Sequence, residues 1–275
     1  MAEQLRATLP LAAFLLLCVG CDGLVPPPYD NCLDENSASY ELPAAVITGR
    51  PELDFGTAEA EVTFAWRGGN DCVSEFSHRL NGETWTPWSS LSSVTLTALD
   101  EGTHAFEVRA RYPTEVESSA PDRRTFTVDA VNGPALMIRP RQTRASVGDT
   151  FEVDVMAEEV EGLMLAHVMI EYDVSALRLS GPPQEASFVS QQGGVAIFLY
   201  READGSIDIS IGVATADPPG VSGSGAIATL GFQLLRQARS AISFGAATEL
   251  RDASNLPIAS TTFVPGSVSV ASPNQ

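Results

Sequence analysis

The sequence predicts an all-β chain folded as two sandwiches, and three observations carry that prediction. From about residue 43 to the end, almost every periodic segment alternates apolar and polar residues with period 2, and no convincing 3.6-residue period competes with it. The alternating runs are short and are separated by turn residues. The pattern breaks once, at Asn132-Gly133-Pro134, which divides the 275 residues into blocks of ordinary domain size.

Composition narrows the function classes. Hydrophobic residues make up 44% of the chain, enough for packed cores. The net charge of −19 repels phosphate backbones and excludes nucleic acid as a partner, while it suits an exported protein kept soluble by self-repulsion. All 16 basic residues are Arg, so no Lys is present for Schiff-base or phosphate-loop chemistry.

The N-terminal element is an apolar run, Leu9 to Val19, with Arg6 ahead of it. A membrane-spanning helix needs about 20 apolar residues; this shorter run suits the core of an export signal. It ends in Cys18-Val19-Gly20-Cys21, with Pro26-Pro27-Pro28 as a stiff extended spacer behind. No second ligand pair at zinc spacing follows, nor a βαβ pattern that would make Cys18 and Cys21 a redox pair. Gly20-Cys21 instead resembles the end of a bacterial lipoprotein signal, a small residue followed by the cysteine that is lipidated. The resemblance implies that residues 1–20 are removed, that Cys21 carries the lipid, and that acyl chains tether an exported protein to the outer membrane or cell surface. Each buried CH₂ adds about 0.8 kcal/mol to such a tether. An ordinary cleaved signal and a retained anchor stay open. Residues 21–42 are Pro-rich and acidic and read as a linker.

With Cys18 leaving in the signal and Cys21 lipidated, Cys32 and Cys72 remain, in an oxidising compartment. They are expected to pair as a disulfide, closing a loop that stabilises the fold by roughly 4 kcal/mol in the chain-entropy model. Two free thiols are the alternative.

The first block runs over 43–131. Val62, Phe64 and Trp66 alternate with polar neighbours as a half-buried strand, and Phe76, His78 and Leu80 repeat the pattern before the hairpin turn Asn81-Gly82. Val94-Thr95-Leu96, then His104 to Ala110 after the turn Glu101-Gly102, and Thr125 to Val128 complete the set. The run from Phe76 through Trp85 and Trp88 to Val128 resembles the immunoglobulin or fibronectin-III-like modules of exported bacterial proteins. That resemblance implies a spacer or adhesive unit. His78 and Trp88 stand where many such modules carry a cysteine pair. Trp85 and Trp88 are also candidates for stacking on polysaccharide, with hairpin packing as the alternative.

The second block covers 135–271. Val147-Gly148-Asp149 turns into a strand with Phe151, Val153 and Val155 on one face. The next strand places Ala166, Val168, Ile170 and Tyr172 on one face and Leu165, His167, Met169 and Glu171 on the other. Val195 to Tyr200 is apolar on both faces, and Asp204-Gly205 turns into Ile207, Ile209, Ile211 and Val213. Gly223 and Gly225 precede Ala228, Leu230, Phe232 and Leu234, and the block closes on Val264 to Val270.

The ordered set Val147 to Val155, Tyr172-Asp173 to Leu177, Gly223 to Phe232 and Gly266 to Val270 resembles a cohesin domain. The resemblance implies a nine-stranded jelly-roll sandwich that binds a dockerin through one flat sheet face, within polysaccharide-related assemblies. In that family the strand before Tyr172-Asp173 offers Asn and Asp outward; here Leu165 and His167 stand in those places. The expected partner-binding set is Leu165, His167, Met169, Glu171, Phe198 and Tyr200. The alternative is that a 156–163 loop covers Leu165 and Met169, and that Phe198 and Tyr200 are core.

Signs of catalysis are weak. His78, His104 and His167 fall in different strands, and no two have metal-pair spacing. Residues 220–225, GVSGSG, have Ser224 where a nucleophile elbow needs its last glycine. Glu158-Glu159 read as solvated loop, and Asp204-Gly205-Ser206 lacks the full calcium-loop spacing. The chain is therefore expected to be a non-enzymatic binding protein without a cofactor; a structural calcium held by the sandwich loops is left open, as is direct carbohydrate binding in place of dockerin docking.

Overall fold

The computed structural model describes residues 31–49, 55–214, 219–259 and 261–271. The expected signal 1–20, the lipid-bearing Cys21 and the first part of the linker lie outside the described residues. Two compact units make up the chain, Met1–Glu41 and Leu42–Gln275. The described part of the first unit is a succession of turns. The amides of Asp34, Ser37 and Tyr40 each donate to the carbonyl three residues earlier, to Asn31, Asp34 and Ser37. Cys32 in this unit and Cys72 in the second are each disulfide-bonded.

The second unit holds two β-rich bodies. The first contains β1 (Ala45–Thr48), β2 (Phe55–Thr57), β3 (Glu61–Gly68), β4 (Glu75–Leu80), β5 (Ser93–Thr97), β6 (Gly102–Arg111) and β7 (Asp122–Val128). One sheet has the order β1-β3-β5 and the other β2-β7-β6-β4. Alternation in β3 buries Val62, Phe64 and Trp66, and alternation in β6 buries Phe106, Val108 and Ala110. Together with Phe126 and Val128 they form one core. Phe64 stacks on Phe106 at 4.1 Å between ring centroids and meets Phe126 edge-on at 5.4 Å. The Asn81-Gly82 turn forms, with both residues at positive φ. Its return arm is irregular: the Thr86 amide donates to the His78 carbonyl, and Phe76 and Ser89 exchange amide bonds. Pro87 lies in this arm and supplies no N–H for a regular ladder.

The second body follows with β8 (Ala135–Arg139), β9 (Gln142–Ala145), β10 (Thr150–Tyr172), β11 (Leu177–Leu179), β12 (Gln184–Glu185), the one-turn helix α1 (Phe188–Gln191), β13 (Val195–Ala203), β14 (Ser206–Ala214), β15 (Val221–Leu234), β16 (Ser240–Phe244), β17 (Glu249–Asp252), β18 (Thr262–Val264) and β19 (Gly266–Val270). One hydrogen-bonded network joins its twelve strands because β10 belongs to both layers. Residues 150–158 of β10 pair with β8 and β15, and residues 165–172 pair with β14, β16 and β17. The crossing contains register shifts between Val155 and Leu163, with Glu159 and Gly162 at positive φ. Residues 156–163, a covering loop in the alternative reading, are bulged strand that pairs with β8, β15 and, at Leu163, β17. The expected final strand splits at Pro265 into β18, parallel to β8, and β19, which pairs with β9 and β16. Between the layers lies a core from Leu136 to Val268 that includes Val153, Val168, Ile209, Leu230 and Phe232.

The two bodies meet around Asp100 and Glu101. The Arg141 amide donates to Asp100 Oδ1 at 2.7 Å, and the Ala130 amide donates to both Glu101 oxygens at 3.1 and 3.2 Å. Burial pushes the Asp100 carboxyl up, against the pull of the Arg141 bond and of Arg139 and His104. Burial also raises Glu101, helped by Glu158 and Asp129. A carboxyl whose folded value lies above its unfolded value binds its proton more tightly when folded, so its ionisation costs stability as pH rises through the folded value. The variant Asp100→Asn/Glu101→Gln is therefore expected to melt above the wild type at neutral pH, with the gap closing as pH falls through the raised values. Thermal unfolding across a pH series measures it; a gap that widens on acidification would show the opposite sign.

Candidate protein-docking face

The half of β10 from Leu165 to Glu171 sets the site. Its odd-numbered residues point out of the sandwich, while Ala166, Val168 and Ile170 are fully buried. The Asp204-Gly205 turn closes a two-residue hairpin whose register pairs Ala203 with Ser206, Leu199 with Ser210 and Ile197 with Gly212. Across β14, three rows then run over one flat surface. One is Ile197–Gly212–Leu165–Arg251, the next Leu199–Ser210–His167–Glu249, and the third Arg201–Asp208–Met169.

Among the described residues β13 is the edge of this sheet and pairs only with β14. Its outward residues Val195, Ile197 and Leu199 are 58%, 56% and 64% exposed. Three aliphatic side chains in line at this exposure, continued inward by half-buried Leu165 and Met169, form an apolar stripe of the kind that marks an interaction surface. Gly212 leaves the stripe low in the middle, and Met169 lies against Gly245, where an added Cβ would come within 2.8 Å of its Cγ.

Four polar groups of the face are paired with one another. His167 Nε2 lies 2.8 Å from Asp208 Oδ1. Arg251 donates twice to Glu249, at 2.8 and 3.0 Å, and once to the Asn255 carbonyl. The hydrogen bonds from Arg251 hold the Glu249 carboxyl below the ordinary range, and the same pairing raises Arg251. A partner laid on this face thus meets an apolar centre flanked by two internal pairs, His167–Asp208 and Arg251–Glu249.

Of the residues expected from sequence, Leu165, His167, Met169 and Glu171 share this face. Phe198 and Tyr200 do not. Their register partners are Ile211 and Ile209, which point into the core; Phe198 packs against that core, and Tyr200, its ring 6.4 Å from Phe198, remains 44% exposed on the inner side of the edge strand. The outward residues of β13 are the ones missed. A signal for them was present: a two-residue turn at Asp204-Gly205 with Ile207, Ile209 and Ile211 buried forces Ile197 and Leu199 outward.

Trp85 and Trp88 are occupied. Three arginines from β4 and β6 interleave with them: Arg79 and Arg109 lie 4.4 and 4.5 Å from the Trp85 centroid, and Arg109 and Arg111 lie 4.5 and 4.8 Å from that of Trp88. Each arginine also bonds a carboxylate, Glu107, Glu117 or Glu75. Each ring thus carries two guanidinium groups close to its centroid, the arrangement of a packing ladder. Each cation–π contact contributes about 0.5–2 kcal/mol depending on desolvation. Arg109→Ala removes two contacts and an ion pair, and is expected to lower stability by about 1–3 kcal/mol. Urea unfolding followed by tryptophan fluorescence measures it; an unchanged midpoint would show the ladder to be energetically idle.

The remaining polar candidates are structural. His104 bonds Asn81 and the Asp100 carbonyl, and His78 packs against Trp66 and Phe106, its pKa lowered by burial. Glu158 accepts the Ser224 hydroxyl at 2.6 Å, and Glu159 accepts the Gly133 amide at 2.8 Å. Among the described residues no three His, Cys, Asp or Glu side chains converge as a metal set.

Comparison with known proteins points to the same part of the chain. Residues 139–270 match the family model for the cohesin domain. No curated protein matches the chain. Among solved structures, a non-cellulosomal cohesin from the hyperthermophilic archaeon Archaeoglobus fulgidus is similar at 16% identity, covering 50% of this chain and 91% of that one, with a TM-score of 0.42. The second type II cohesin module of the adaptor scaffoldin of Acetivibrio cellulolyticus is 16% identical over 53% of this chain and 94% of its own, with a TM-score of 0.44. The sixth cohesin of scaffoldin B from that organism, solved in complex with a Cel5 dockerin, is 19% identical over 51% of this chain and all of its own, with a TM-score of 0.41.

Proposed function

We propose that residues 135–271 form a non-catalytic docking module that receives a dockerin-type protein on the flat face of β13, β14, β10 and β17. The observation that carries this reading is the exposed aliphatic row Val195, Ile197 and Leu199, continuous with Leu165 and Met169, in the region that matches the cohesin family. Because Leu165 and His167 stand where hydrogen-bonding anchors were expected, affinity here comes from apolar contact, and the best partner presents an apolar helical surface. Polysaccharide enters through what the partner does.

The rest of the chain fits a tether. In this reading Cys21 carries the lipid, residues 22–42 lift the folded part from the membrane, and Cys32 pairs with Cys72. Radiolabelled palmitate incorporation that is lost in Cys21→Ser tests the anchor, and non-reducing peptide mapping tests the pair. For docking, the exported chain is titrated calorimetrically against dockerin-type modules encoded beside it. Saturable micromolar binding supports the proposal; heat of dilution alone against every module rejects it.

A further inference from the structure

The segment between the two sandwiches is short, and its polar atoms are held from both sides. At its start the Asp129 amide donates to the Thr57 carbonyl and the Ala130 amide to the Glu101 carboxylate, both within the first sandwich. At its end the Gly133 amide donates to Glu159 of β10, and the Thr262 amide donates to the Pro134 carbonyl. Gly133 lies so close to β10 that an added Cβ would stand 2.4 Å from Glu159 Cβ and 2.6 Å from the Glu158 carbonyl oxygen. Between these anchors sits a small apolar core of its own, Val131 with Ala135, Met137, Met156 and Val264.

A second set of bonds spans the two bodies directly. Arg141, beyond β8, gives its amide to the Asp100 carboxylate and its guanidinium to the Leu99 carbonyl at 3.2 Å. Asp100 in turn follows buried Leu99, and its carbonyl bonds His104 of β6. The joint therefore has an apolar centre and a clamp on each flank, with backbone bonds at Asp129, Ala130, Gly133 and Pro134.

We infer that residues 129–141 form a locked joint, so that the two sandwiches move as one rigid body and the first fixes the orientation of the docking face. A flexible spacer would let the face search a cone; a locked joint presents it at one angle and spares the ordering entropy of the linker on binding. The inference concerns the joint alone and stands whether or not the face binds a dockerin.

Residual dipolar couplings on the ¹⁵N-labelled exported chain test it. A single alignment tensor fitting both sandwiches is the expected result, and two tensors of different magnitude or orientation would overturn it without any variant being needed. Asp100→Ala/Arg141→Ala removes the direct clamp and is expected to split the tensors while leaving the amide spectrum of each sandwich in place. Gly133→Val, which drives a side chain into β10, is a second route to the same split. Variants that keep one tensor would show that these contacts are not the lock and would overturn the assignment to residues 129–141.

Discussion

Leu199→Asp is expected to weaken docking at least about 30-fold while leaving the fold intact. Leu199 lies in the middle of the edge-strand stripe and is 64% exposed, so the substitution removes little buried surface and should shift folding stability by no more than about 0.5 kcal/mol. In the complex the same atom positions lose an apolar anchor and gain a carboxylate that must shed water, with Arg201, the next outward residue of β13, as the one basic group of that strand. Loss of a hot-spot contact costs about 2 kcal/mol or more, and about 1.4 kcal/mol corresponds to a tenfold change, so affinity should fall at least about 30-fold. Calorimetric titration beside a thermal melt reads both quantities. Phe198→Ala is the informative contrast: facing the core, it should lower the melting temperature and leave affinity nearly unchanged in the folded protein. Wild-type affinity in Leu199→Asp would place the docking site elsewhere.

The second large effect concerns the first sandwich. Phe64→Ala deletes a ring that is fully buried, stacked on Phe106 and edge-on to Phe126. Truncating a core phenylalanine costs about 3–5 kcal/mol, and the ring pairs add about 0.5–1.5 kcal/mol of specific interaction to that site. Against a typical total of about 5–15 kcal/mol, this is a large fraction of the stability of the sandwich. All three tryptophans, Trp66, Trp85 and Trp88, lie in this sandwich. Their fluorescence therefore follows it selectively during urea unfolding, and a shift in midpoint smaller than that of Arg109→Ala would contradict the packing described here.

Much of the strand layout was legible because a strand's side-chain alternation is local. Val62-Phe64-Trp66 and Ala166-Val168-Ile170 were readable as buried faces from spacing alone, and in the structure those six are buried. The outward set Leu165, His167, Met169 and Glu171 followed from the same parity. The run Val195 to Tyr200 was ambiguous because both of its alternating sets are apolar, and hydrophobicity cannot choose a face when both candidates satisfy it. The hairpin register of Asp204-Gly205 makes that choice, through pairing to a strand whose buried face is known.

By itself, then, the sequence determined the all-β architecture, the turn positions and the outward parity of half the proposed docking face, each a property of neighbours within a few residues. Tertiary structure decided that β10 is one bulged strand serving both layers, that the apolar edge row completes the face, and that three arginines from two strands enclose Trp85 and Trp88. It also brought Asp100 to Arg141 and Glu159 to Gly133. These are pairings between residues distant along the chain, and alternation carries no record of which strand a given strand will meet.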